Sequence, residues 1–276
     1  MNLAAVTMVY EGYATLARWY EHYGKLVGYQ NLYIVSHGDD PEHRKIAEKA
    51  NVIGIPRTGL KKFDWQRAKA LHGLNTFLEI YFDAVVRTDV DEFVFFDPER
   101  YSSLAECLKS IDCDAWFCAG FNVFAEPDDD LLQADKLISE QRKRCLCTPM
   151  YCKAIASRNG MVLRFHGAVD PRRDSAEKMA MPVGLYLAHI KHAEAGPTGL
   201  IDSKTDASRG RYGARRVVGQ AQAYELLDGD EVLSEFYADM SSGFGKFREK
   251  RPGIWVVPQE WKKRAFALPD RFVGCF

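Results

Sequence analysis

The stretch from Val85 to Phe96 constrains this chain more than any other, because it sets an acidic cluster between two apolar, strand-forming runs. The cluster holds Asp89, Asp91 and Glu92, which are three carboxylates within four residues. In a continuous strand Asp89 and Asp91 project to the same face, since side chains alternate with a period of two. Burying such charges without a partner is costly, so the pattern predicts a bound cation, with Mg²⁺ or Mn²⁺ suited to hard oxygen ligands and phosphates. The alternative is a solvated acidic turn.

The composition is that of an ordinary globular protein, with 276 residues, 47% hydrophobic and 27% charged. The net charge of −1 gives no field that would favour nucleic acid or an anionic membrane. No apolar run reaches the roughly 20 residues of a membrane-spanning helix, and the first residues lack the features of a signal peptide. We therefore expect a cytoplasmic protein that has at most peripheral contact with membranes.

The cysteines favour the same compartment. There are seven, an odd number, and several lie among apolar residues, which is typical of reduced, buried thiols. Cys145, Cys147 and Cys152 with His166 are an alternative zinc site, although their spacing is not that of a zinc finger or ribbon.

Strand and helix patterns alternate along the first part of the chain. Short apolar runs ending in turn residues predict strands at 3–9, 31–36, 52–55 and 84–87, and helical spacing predicts helices at 13–26, 42–50 and 63–78. This order predicts an α/β fold with a mixed, mainly parallel sheet covered by helices on both faces. Beyond residue 97 we expect a helix at 102–111, one strand over 115–124, strands at 161–166 and 184–189, and helical pieces at 220–227 and 232–238. No clear linker interrupts the chain, so we expect a single domain over 1–276.

Taken together, the chain resembles a glycosyltransferase of the GT-A fold, in particular the family-2-like group with a DVDEF motif. The closest correspondence is the segment Asp83 to Phe93, which contains the acidic turn. The other features follow in the family's order: Tyr10-Glu11-Gly12, Trp19–Tyr23, His37–Asp40, Thr148–Lys153, Gly160–Gly167 and Leu185–His192. The chain departs from the family at Tyr10, where Asn is usual, and after His192, where an SxEEF continuation is missing.

The resemblance implies a Rossmann-like nucleotide-binding half over about 1–97 and an acceptor half over about 98–276. It implies transfer of a sugar from a UDP- or GDP-linked donor to an acceptor hydroxyl, with Mn²⁺ or Mg²⁺ as cofactor. The acceptor is a saccharide, a lipid-linked saccharide or a protein side chain, and no nucleic acid is expected as a partner.

Each candidate residue has an expected role. Asp91 is the principal metal ligand, and Asp89 contacts the ribose or the metal. A late histidine completes the metal site, and we prefer His189 to His192. At these strand positions the two rings face opposite sides, so the two histidines should not share one role. Glu92 orients the turn or meets the donor sugar.

Ligands of open α/β sheets bind at the carboxyl ends of the strands, where Glu11 and Asp39 are the nucleoside candidates. Arg67, or else Lys62, is expected at the diphosphate.

An inverting transfer needs a carboxylate base beside the acceptor hydroxyl. Asp170 is the candidate, with Glu126 and Asp174 as rivals. A loop containing Arg209–Arg216 is either a lid over the diphosphate or a solvated segment, and in a nucleic-acid binder it would contact phosphates.

The main alternative function is a metal-dependent phosphohydrolase or nuclease that uses the same acidic turn. Such two-metal sites draw acids from several segments, so Asp83 or Asp97 would have to join the cluster.

Overall fold

The computed structural model describes residues 1–58, 63–161, 163, 178–194, 224–240, 248–251, 254–256, 261 and 264–276. Its helices and strands in chain order are β1 (Leu3–Val9), α1 (Tyr13–Val27), β2 (Leu32–His37), α2 (Pro41–Ile46), β3 (Asn51–Ile55), α3 (Phe63–Leu78), β4 (Ala84–Arg87), β5 (Glu92–Phe96), α4 (Leu104–Lys109), β6 (Ala115–Phe117), β7 (Ala119–Phe124), α5 (Ile138–Gln141), β8 (Arg144–Cys147), β9 (Ala154–Ser157), β10 (Met179–Ala180), β11 (Leu185–His192), β12 (Leu226–Leu227), α6 (Gly229–Met240), β13 (Arg248–Arg251), β14 (Ile254–Val256) and β15 (Ala265–Ala267).

The first sheet has seven strands in the order β10-β6-β9-β4-β1-β2-β3. Strands β4, β1, β2 and β3 run parallel, and β9 runs antiparallel between β4 and β6. The mixed, mainly parallel α/β sheet predicted from the sequence is therefore confirmed.

Helices cover both faces of this sheet because β1 is apolar on both sides. Leu3, Ala5 and Val9 pack with Leu16 and Trp19 of α1. The alternate residues Ala4, Val6 and Met8 pack with Leu71 and Leu78 of α3 on the opposite face. The uninterrupted apolar run of β1 is what a strand buried on both faces requires.

A second sheet, which the sequence pattern does not predict, has six strands in the order β12-β15-β8-β7-β11-β5. The run 115–124, expected to be one strand, is divided at Cys118 into β6 of the first sheet and β7 of the second. Periodicity alone cannot reveal this change of sheet, because both halves are buried and neither alternates between apolar and polar residues. Leu226 and Leu227, expected to be helical, form the short strand β12.

The two largest hydrophobic clusters each draw residues from both sheets, since the first includes Phe117 of β6 and the second includes Leu187 of β11. Phe93 and Phe236 belong to the first cluster, whereas Trp19 belongs to the second, which forms the core against helices α1 and α4. No helix within the described ranges is long and apolar enough to cross a bilayer.

His22 of α1 makes the stability of this core depend on pH. The imidazole Nε2 donates to the Val94 carbonyl at 2.7 Å, and burial lowers the pKa of His22 to about 4. Protonation therefore favours the unfolded chain, and the stabilisation is lost as pH falls from about 6.5 towards 4. We expect the free energy of unfolding of the wild type to fall, relative to His22→Gln, by about 2 kcal/mol between pH 7.5 and 5.

Urea denaturation of both proteins at the two pH values checks this, and the other histidines cancel because both proteins carry them. An equal pH dependence in the two proteins would contradict the assignment.

Candidate functional site

The acidic turn, Thr88–Asp91, lies where the chain passes from β4 of the first sheet to β5 of the second. Asp89 and Asp91 therefore lie in a turn and not in one continuous strand, so strand alternation does not determine their relative orientation. Helix α1 holds both ends of the turn. Trp19 Nε1 donates to Thr88 Oγ1 at 3.0 Å, and the Tyr23 hydroxyl donates to the Glu92 carbonyl at 3.0 Å.

Each carboxylate of the cluster has its own partner. Asp89 forms an ion pair with Arg67, and both oxygens of Glu92 accept from Lys153 Nζ at 2.7 and 2.8 Å. Asp91 Oδ2 lies 3.2 Å from His189 Nε2. Two of the three charges are thus balanced by protein cations, and only Asp91 faces a side chain of the metal-binding type.

Glu92 is a structural member of the cluster. It is 1% exposed and Lys153 is 5% exposed, and Glu92 Oε2 also accepts from the Asp89 amide at 2.9 Å. Of its two expected roles, these contacts correspond to orienting the turn.

Asp91 carries a charge at neutral pH. Burial alone would raise the pKa of its carboxyl, but the nearby His189, with a smaller contribution from Lys191, holds that pKa well below its usual value. The side chain is still 30% exposed. Asp91 is therefore an ionised carboxylate that a ligand can reach.

His189 sits on β11 directly opposite Glu92 of β5. Its Nδ1 lies 2.6 Å from Asn122 Oδ1, and Tyr151 stacks on the ring with a centroid distance of 4.0 Å. The Tyr151 hydroxyl lies 3.1 Å from His189 Nε2.

His192 does not face away from His189, so that expectation is wrong. The register of β11 against β7 shifts between these residues, and the two rings lie 6.2 Å apart. A bulge inserts an extra residue and so cancels the strict alternation. His192 stacks on Phe124, and burial, with a contribution from His189, lowers the pKa of His192 to about 4.

No group of three or more His, Cys, Asp or Glu side chains within the described ranges is arranged to hold a metal ion. Asp91 and His189 nevertheless fit two positions of one, because their 3.2 Å separation is close to the edge of about 3.0 Å in an octahedron with ligands at about 2.1 Å. Phosphate oxygens and water would have to complete such a site.

The cysteine alternative does not form a zinc site in the described part of the chain, where Cys145, Cys147 and Cys152 belong to no such group. Burial raises the pKa of Cys152 to about 12, so it stays a thiol. His166 lies outside the described residues.

The parallel strands bring the other candidates to the same edge of the first sheet. Glu11 follows β1 and Asp39 follows β2, both with positive φ, and Arg67 lies near the start of α3. Asp39 is an exposed partner of Arg44 at 2.7 Å, so this carboxylate is already paired. The Glu11 carbonyl accepts from His43 Nε2 at 3.0 Å.

The structure also shows a group of stacked side chains at this edge that was not predicted from the sequence. The Arg57 guanidinium lies 3.2 Å from the centroid of the Tyr10 ring and donates to His37 Nδ1 at 3.1 Å. His37 in turn stacks on Phe63 with a centroid distance of 5.0 Å. Each of the four lies at or next to the end of a parallel strand or at the start of α3, and that position is the signal by which they could have been found.

Most of the remaining candidates fall outside the part of the chain that the structure describes. Asp170, Lys62, Asp174 and Arg209–Arg216 lie outside the described residues. Glu126 forms an ion pair with Arg144, which opposes a role as base.

Asp83 and Asp97 do not join the acidic turn. Asp83 lies at the amino end of β4, where it accepts from the Asn2 amide at 2.6 Å, and Asp97 lies at the far end of β5, paired with Arg271 at 3.1 Å. Neither of the additional acids named for the two-metal hydrolase alternative therefore joins the cluster of Asp89, Asp91 and Glu92.

No protein-family model matches the chain, and no curated protein matches it. Among solved structures, CMP:2-keto-3-deoxy-manno-octonic acid synthetase complexed with CTP aligns at 12% identity and a TM-score of 0.30, covering 58% of this chain and 65% of that one. The chain therefore spans slightly less than two thirds of that relative. The mannose-1-phosphate geranyltransferase from Thermus thermophilus aligns at 11% identity and a TM-score of 0.30, covering 99% of this chain and 76% of that one. Similarities of this size carry no argument about function.

Breaking the buried pair under the turn should be costly. Lys153→Met leaves the Glu92 charge buried without its partner, and we expect it to lower the free energy of unfolding by about 3–5 kcal/mol. Glu92→Gln combined with Lys153→Met removes both charges and keeps an oxygen for the Asp89 amide.

The double variant should therefore recover about 2 kcal/mol relative to Lys153→Met. Chemical denaturation of the wild type, both single variants and the double variant measures the coupling. Additive losses would show that the pair contributes nothing of its own.

Proposed function

We propose that this chain is a GT-A-type glycosyltransferase that moves a sugar from a nucleotide diphosphate to an acceptor hydroxyl. The observation that supports this most is the pairing of an ionised Asp91 with His189 at the carboxyl edge of the parallel sheet. Open α/β sheets bind ligands at this edge. Residues 1–97 would bind the nucleotide, and residues 98–276 would bind the acceptor.

Asp91 and His189 would hold the divalent cation, Mn²⁺ or Mg²⁺. Such an ion acts as a Lewis acid on the diphosphate leaving group. Asp89, fixed by Arg67 and by the Glu92 carboxylate, would contact the ribose or a metal-bound water.

Arg67 would contact the diphosphate. It already lies beside the turn, and its charge adds to that of the buried Arg87, whose pKa is lowered to about 9 by burial and by Arg67. Two guanidinium groups near one point attract a polyanion, and a charge developing on a phosphate is stabilised by such preorganised donors.

Glu11 and Asp39 remain the proposed contacts of the nucleoside, and Asp170 the proposed base. The base must lie within about 3 Å of the acceptor hydroxyl to take its proton. Three further points remain predictions from the sequence: the nucleotide of the donor (UDP or GDP), the class of acceptor and the cytoplasmic location.

Nucleotide binding tests the proposal directly. We expect UDP or GDP to bind the wild type with micromolar affinity in the presence of Mn²⁺, and Asp91→Asn to abolish the metal-dependent part, because a neutral amide is a poorer ligand than a carboxylate. Isothermal titration calorimetry with each nucleotide, with and without Mn²⁺, measures both effects.

Asp128→Asn is the matched control, since Asp128 is an exposed acid outside the turn Thr88–Asp91 and its variant should bind like the wild type. Failure of both nucleotides to bind the wild type under every metal condition would overturn the proposal.

A further inference from the structure

A chain of hydrogen bonds determines which nitrogen of His189 carries a proton. The Thr148 hydroxyl donates its one hydrogen to the Leu146 carbonyl at 2.9 Å, so towards Asn122 it can only accept. It accepts from Asn122 Nδ2 at 2.8 Å. The opposite orientation of the amide would set Asn122 Oδ1 against an oxygen that has no hydrogen left to give.

The orientation of Asn122 passes this constraint on to the imidazole. With Nδ2 directed at Thr148, Asn122 Oδ1 faces His189 Nδ1 at 2.6 Å. An amide oxygen only accepts, so His189 Nδ1 must carry a hydrogen. In the neutral ring Nε2 is then the unprotonated nitrogen and carries the lone pair, with the Tyr151 hydroxyl 3.1 Å away.

Tyr151 leaves that lone pair accessible. The two rings are stacked at 23° with centroids 4.0 Å apart, so the Tyr151 hydroxyl approaches Nε2 from the face of the ring. In the acidic turn, Asp91 Oδ2 lies 3.2 Å from His189 Nε2. With a hydrogen on both ring nitrogens the imidazolium donates from Nε2 to Asp91, and this charged form is the one that lowers the pKa of Asp91. In the neutral ring Nε2 and Asp91 Oδ2 are two acceptors that repel each other, and a divalent cation takes the place of the proton between them.

Two residues of strand β7 contribute to this arrangement. Asn122 lies opposite His189 in the register of β7 and β11, and Gly120 is two residues earlier on the same face. A Cβ at Gly120 would overlap the Tyr151 backbone, so glycine lets the segment 148–151 pack against the strand.

We propose that Asn122 and Thr148 are positioning residues that hold His189 as the Nδ1–H tautomer and thereby direct Nε2 at a divalent cation shared with Asp91. The role of the cation rests on the proposed function, whereas the tautomer does not. One nitrogen ligand in an otherwise oxygen-based site favours Mn²⁺ over Mg²⁺, because imidazole suits transition metals and Mg²⁺ prefers oxygen.

The tautomer can be read in the metal-free protein by ¹⁵N NMR of labelled histidines at pH 9, where an ordinary imidazole is neutral. We expect Nδ1–H for His189 in the wild type and in Asn122→Asp, which keeps the accepting oxygen. In Asn122→Leu and in Thr148→Val we expect a mixture of the two His189 tautomers. Thr148→Ser keeps the hydroxyl, so we expect it to keep the Nδ1–H tautomer. Nε2–H in the wild type, or an unchanged tautomer in Asn122→Leu, would overturn the proposal.

Metal binding gives a second readout, measured by electron paramagnetic resonance of free Mn²⁺ and by competition with Mg²⁺. Asn122→Leu should weaken Mn²⁺ binding about 10- to 100-fold, a typical effect of losing the partner of a ligating histidine, and should weaken Mg²⁺ binding less. Thr148→Val should act in the same direction if the leucine variant does not fold. Equal losses for both ions would indicate a general structural role and would overturn the positioning role.

The two proposals fail separately. A wild type that shows the Nδ1–H tautomer but binds no Mn²⁺ would overturn the metal-dependent function and leave the tautomer assignment in place. A wild type that binds Mn²⁺ but shows the Nε2–H tautomer would overturn the tautomer assignment and leave the metal-dependent function in place.

Discussion

The buried ion pair between Glu92 and Lys153 is the contact on which the candidate site depends. Glu92 begins β5 of the second sheet, and Lys153 comes directly before β9 of the first. The pair therefore joins the two sheets at the point where the chain crosses between them. Because Glu92 also accepts from the Asp89 amide, the same carboxylate sets the backbone of the acidic turn.

The distribution of charge follows from this arrangement. Arg67 and Lys153 balance two of the acids, and the desolvation cost of those acids is met by protein cations and not by a metal. The partner of Asp91 is His189, whose proton on Nε2 a metal ion could replace. Under the proposed function, phosphate oxygens of the donor would complete the cation site, since Mg²⁺ and Mn²⁺ sites commonly use one or two carboxylates and substrate oxygens.

Much of the first half of the fold can be predicted from local pattern. The apolar run of β1 and the helical spacing of α1 and α3 carry their own period, and the parallel order of strands follows from their alternation with helices. The position of the acidic turn after β4 follows in the same way. Later elements are harder to predict from the sequence. The run 115–124, for example, has one apolar pattern but belongs to two sheets.

The sequence by itself determined the alternating α/β order, the acidic turn and the meeting of strand ends at one edge, because these depend on residues close together in the chain. Only the tertiary structure decided which partner each acid has, since Glu92 and Lys153 are 61 positions apart and Asn122 and His189 are 67 apart. It also decided that a bulge in β11 brings His189 and His192 to neighbouring positions. Periodicity reports which face a side chain occupies, whereas the hydrogen bonds and charges that define a site arise from packing between distant segments.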